Sequence, residues 1–227
     1  MVVASGQGRV ISNFALTHFC AAKHFSAKTR EIETANAGQP FGNFWQEISI
    51  YCASCVITAA ACLEALINEL FIAPGKLQHV ANDFDTFFWG GEQIERRCLL
   101  LKEKKRIRGL EAKPALEKYR EAVRLLGKRP LSKTDGQYEA AQALIGFRNY
   151  LIHFKPLWDE DRRDDDLEER LRGRFDLSPF VVESPSFLEK KCMSAGCSAW
   201  AVQTVVDFVA YFGDRTGIDP QKLSAFR

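Results

Sequence analysis

From Phe44 to Ile72 the chain reads FWQEISIYCASCVITAAACLEALINELFI, with no glycine and no proline. Apolar residues fall nearly all round a 3.6-residue period, so a helix over this stretch has no broad polar face to give to water. Such a helix belongs in the middle of a bundle. Its uncharged part, between Glu47 and Glu64, is 16 residues long and contains Ser49, Ser54 and Thr58. A membrane span needs roughly 20 mostly apolar residues, so a buried helix is expected and no membrane partner. Ala73 to Gly75, "APG", marks its end.

Further helical periods flank it. Residues Val10 to Asn36 read as an amphipathic arm, with Ile11, Phe14, Ala15, His18 and Phe19 on one stripe. "NAGQPFGN", Asn36 to Asn43, is the linker that follows. Glu92 to Arg106 is expected as a helix, and so is Lys113 to Leu126, with Pro114 near its start. Gln137 to Phe154 is a strong helix with Ala140, Leu144, Phe147, Leu151 and Phe154 aligned. Another is expected over about Leu188 to Phe212. No strand alternation and no internal repeat is visible. The expected fold is therefore all-α, an antiparallel helical bundle. The expected organisation is an arm and linker over 1–40, a helical domain over 41–215 with a basic insert around 92–135, and a tail over 216–227.

Charge is unevenly spread. The net charge is only +2, but Lys102 to Lys133 holds twelve Lys/Arg against four Asp/Glu. Asp159 to Arg170 holds eight acids against three arginines. A basic stretch near an acidic one gives the molecule a field able to attract phosphates on one side. "KEKKRIR" supplies Lys104, Lys105, Arg106 and Arg108 as a candidate RNA track, with Lys155 beyond the strong helix. The opening "MVVASGQGRV" has no apolar run behind a basic start, so no secretory signal is expected. Seven cysteines follow no secreted framework and are expected as reduced thiols in a cytoplasmic protein.

The stretch "GFRNYLIHFKP", Gly146 to Pro156, carries the chemistry. Asn149 and His153 are four apart and share a helix face. The asparagine amide is suited to bond an imidazole nitrogen and fix its tautomer. Arg148 offers a planar, always-charged fork for phosphate oxygens. Histidine moves protons near neutral pH. This set is able to drive attack of a ribose 2′-OH on its own phosphate without a metal, the arginine stabilising the charged phosphorus.

Arg148-Asn149-x-x-x-His153 resembles the signature of the HEPN superfamily (higher eukaryotes and prokaryotes nucleotide-binding): arginine, a polar residue, a short spacer, then histidine on a late helix. "ACLEALINELF", Ala61 to Phe71, resembles the early helix of that family, where an acidic or polar residue faces the motif. The resemblance gives that place to Glu64, with Asn68 one turn later. It implies a metal-independent endoribonuclease, often a toxin or antiviral effector, with two motifs meeting across a symmetric homodimer. Arg148 would then bind the scissile phosphate, His153 would act as acid and base, and Asn149 would orient His153. The products would carry 2′,3′-cyclic phosphate and 5′-OH ends. RNA and a restraining antitoxin or regulatory protein are the implied partners, and no cofactor is implied. Other members are inactive nucleotide-binding or assembly modules, which is the alternative.

Two other patterns carry less. Cys52-x-x-Cys55 has metal-ligand spacing, and Cys192 with Cys197 would complete a set of four. Both pairs fall in expected helices, where cysteine packs as a small apolar residue, so no metal is expected. "SGQGRV" lacks a preceding strand and a third glycine, so it is no dinucleotide loop.

Overall fold

The computed structural model describes residues 14–70, 109–154, 165–184, 186–217 and 224–226. They are helical and contain no strand among the described residues. The helices are α1 (Phe14–Ala35), α2 (Phe44–Leu70), α3 (Ala115–Leu125), α4 (Gly136–Ile152), α5 (Asp165–Leu171) and α6 (Ala195–Thr216). The helix expected over 92–106 lies outside the described residues.

α2 takes the central place that its composition requires. Cys52, Cys55, Val56, Ala59, Cys62, Leu63, Leu66 and Ile67 are all buried against the other helices. The segment expected as an arm lies along α2 and α6 as α1. Its buried stripe is Ala15, Phe19, Ala22, Ser26 and Thr29. Phe14 lies off that stripe and is exposed. Phe226, in the expected tail, is buried against the ring of Phe19.

Long-range contacts give the directions. The start of α1 meets the end of α2, because Glu69 Oε1 accepts from the amides of Phe14 and Ala15 at 2.9 and 3.0 Å. The end of α1 meets the start of α6, where Glu33 Oε2 accepts from the Ala195 amide at 2.9 Å. The start of α4 meets the end of α6, since Tyr211 donates to Asp135 at 2.5 Å. These three pairs run antiparallel. Each bond also satisfies or fixes a helix start whose first amides have no partner within the helix.

The buried stripe of α4 is Tyr138, Ala141, Leu144 and Phe147. Ala140 and Leu151, expected on the stripe, are half-buried, and Phe154 is exposed. The helix expected over about 188–212 begins later. Phe187–Lys191 forms a π turn, and Ser194 adopts an extended backbone at φ −148°, ψ 163°. Its hydroxyl accepts from the Cys197 amide at 3.0 Å and donates to the Asp176 carbonyl at 2.7 Å. The apolar period runs on through this break, but the serine cap restarts the helix. In the acidic stretch, α5 turns Leu167 and Leu171 into the core. Gly146 of α4 makes room for it, since a Cβ there would lie 3.2 Å from Leu167 Cδ1.

Gly196 marks the closest backbone approach. A Cβ there would lie 2.9 Å from the Asp176 nitrogen and closer still to its carbonyl oxygen. Backbone cannot swing aside as a flexible side chain does. Gly196→Ala is expected to destabilise the protein by about 1–3 kcal/mol, the usual range for overpacking. A lower urea midpoint at unchanged slope is the measurement.

The two carboxylates at helix starts also set a pH dependence. Burial pushes Glu33 and Glu69 above the ordinary carboxylate value of 4.5, and their backbone hydrogen bonds offset only part of this. The folded state therefore holds protons that the unfolded chain has released. Their contribution is fully present below about 4.5 and is lost as pH rises through the raised folded values. For these two groups, Glu33→Gln with Glu69→Gln is expected to flatten the fall in stability over that window. Urea unfolding across the pH series reads it.

Candidate functional site

α2 and α4 bring the candidate residues together. Arg148 Nη2 lies 2.5 Å from Glu64 Oε2, and its Nη1 donates to Asn149 Oδ1 at 2.9 Å. The Arg148 side chain is 21% exposed and that of Glu64 47%, so the pair sits at the surface end of a core helix contact. A guanidinium with its fork held on two sides is fixed in orientation, with its remaining N–H groups available to an anion.

His153 ends α4. Its amide donates to the Asn149 carbonyl at 2.9 Å, and its backbone at φ −100°, ψ 24° leaves the helix. The residue is exposed. Asn149 and His153 are therefore joined through the backbone. The Asn149 amide oxygen serves Arg148, and among the described residues no hydrogen bond links the Asn149 side chain to the imidazole. Arg148, Asn149 and Glu64 form one contact group, with His153 one turn beyond it. Lys104, Lys105, Arg106, Arg108 and Lys155 lie outside the described residues.

Two neighbours were not legible as part of this region. Tyr150 donates to Glu189, which stands in the π turn, and so ties the last turn of α4 to that element. Lys118 of α3 donates to Asn68 Oδ1 at 2.9 Å, one turn after Glu64 on α2. Lys118 is only 6% exposed. Its position, three after Ala115 and four before Ala122, was the available signal: that spacing puts it on the apolar face.

The thiols of these two pairs behave as core side chains. Cys52, Cys55, Cys192 and Cys197 are fully buried, and Cys55 Sγ lies 3.3 Å from the Ala22 carbonyl and 3.4 Å from that of Ser198. Burial, before any neighbour, pushes Cys55, Cys192 and Cys197 upward, so they stay protonated. Among the described residues no group of three or more His, Cys, Asp or Glu is arranged to hold a metal ion. α2 is long and apolar enough to cross a membrane by length and composition, a test that a buried core helix also passes.

Comparison with family models, with curated proteins and with solved structures finds no match to this chain.

Proposed function

We propose that this chain is a metal-independent endoribonuclease of the toxin or defence kind, acting as a homodimer in the cytoplasm. The observation that carries the reading is the contact between Glu64 and Arg148 at 2.5 Å. It joins the early acidic residue and the late arginine of the HEPN-like signature, which lie 84 residues apart in the chain. Exposed Ile152 and Phe154 flank His153 and offer apolar contact for a second copy.

The chemistry needs no cofactor. A neutral His153 imidazole takes the proton of a ribose 2′-OH. The 2′-oxygen forms a bond to the adjacent phosphorus while the bond from phosphorus to the 5′-oxygen breaks. A protonated His153 imidazole returns a proton to that leaving oxygen. Two copies of the motif supply both forms of the histidine. Arg148 stabilises the extra negative charge on the phosphoryl oxygens, where a fixed donor acts without reorganising. Glu64 holds the guanidinium in place.

The test is incubation of the purified protein with varied RNAs in EDTA, followed by end-group identification. Cyclic-phosphate and 5′-OH ends are expected. The rival reading is a nucleotide-binding or assembly module of the same fold. One observation favours it: Asn149 serves Arg148 and leaves the imidazole without a side chain to orient it among the described residues. That reading predicts nucleotide binding and no cleavage at any protein concentration.

A further inference from the structure

Lys118 stands where a lysine needs a reason. It is 6% exposed, and among the described residues its ammonium has a single partner, the neutral Asn68 amide oxygen. An ammonium carries three donors. Charges withdrawn from water are ordinarily paired with an opposite charge. No carboxylate of the described residues pairs with this one. Asn68, by contrast, is exposed. The bond therefore forms where the long, buried stem of Lys118 reaches the outer face of α2.

That face also carries Glu64. Positions 64 and 68 are one helical turn apart on the same side. Arg148 of α4, Glu64 and Asn68 of α2, and Lys118 of α3 thus form a polar row across α2. Among the described residues the row holds two cations with one carboxylate between them, so one positive charge is left over.

We infer that Lys118 is a second phosphate-binding residue, which takes the RNA backbone phosphate neighbouring the one at Arg148. The inference rests on the ribonuclease reading above. A lysine suits this task as a point charge that accepts a phosphate from several directions. Asn68, itself exposed, holds the ammonium beside the outer side of α2 without neutralising it. An aspartate in its place would pair with the ammonium and repel the phosphate.

The experiment measures binding of a fully 2′-O-methylated single-stranded oligoribonucleotide, which 2′-attack cannot cleave, over a series of salt concentrations. The proteins are the full chain and its Lys118→Gln, Lys118→Arg, Asn68→Asp and Arg148→Gln variants, with a thermal melt of each. Lys118→Gln and Asn68→Asp are expected to weaken binding by about tenfold, as loss of one charged hydrogen bond does. Each is expected to lower the slope of log K against log salt by about 0.7, the value for one phosphate on a single strand. Lys118→Arg keeps both affinity and slope. Should Lys118→Gln fail to fold, Asn68→Asp decides, because its position is exposed. A folded Asn68→Asp protein with unchanged affinity and slope overturns the inference. If Arg148→Gln alone responds, the ribonuclease reading stands and only Lys118 is removed from it. If the wild-type protein does not bind, both fall.

Discussion

His153→Ala is expected to lower RNA cleavage in EDTA by at least about 10²-fold, the lower bound for loss of a general acid or base. The size follows from the role: without an imidazole, neither the 2′-OH proton nor the leaving-oxygen proton has a carrier at the site. The same change should leave stability within about 0.5 kcal/mol, because the side chain is exposed and its backbone bond to Asn149 survives. A large loss of activity with an unchanged melt separates chemistry from folding. Cleavage that persists in the variant would move the reaction to another site or to a contaminant.

Tyr119→Ala is expected to destabilise the protein by about 3–5 kcal/mol, the range for deleting a large core ring. The Tyr119 side chain is completely buried. It meets Phe208 and Phe212 edge-on, with ring centroids 4.9 and 4.8 Å away. Its hydroxyl donates to the Leu63 carbonyl at 2.7 Å, which pins α3 to α2. Against a total stability of about 5–15 kcal/mol, this loss is a large share. Tyr119→Phe keeps the rings and removes only the hydroxyl bond, so about 1 kcal/mol is expected. Urea midpoints for the pair divide packing from hydrogen bonding. Equal midpoints for Tyr119→Ala and wild type would mean that α3 is not anchored by this ring.

The bundle was legible because its helices announce themselves by period. α2 was expected over 44–72 and is described over Phe44–Leu70, and α4 over 137–154 against Gly136–Ile152. Residues with no competing signal gave those spans. The start of α6 was not legible. Apolar spacing continues through Met193 and Ser194, and only the serine cap with its tie to Asp176 shows the break. α5 was hidden in the acidic stretch, because the two leucines that fix it are too few for a period. In the candidate site, spacing alone brought out Arg148, Asn149 and His153. The link from Arg148 to Glu64 needed the fold or the resemblance, and the bond from Lys118 to Asn68 needed the fold. Local spacing also favoured an Asn149–His153 side-chain bond. The neighbouring guanidinium takes the amide oxygen instead, as a charged donor is the stronger competitor.

The carboxylates that hold the helix starts have a consequence for the order of assembly. Glu69 reaches the first turn of α1 across 54 and 55 residues of chain, and Glu33 reaches that of α6 across 162. Neither of these carboxylate contacts can form until a loop of that length has closed. Such closures belong late in folding, after the local turns and the first apolar contacts. Weakening these contacts should therefore quicken unfolding more than it slows folding. The starts of α1 and α6 would then be the places where the native state first lets go.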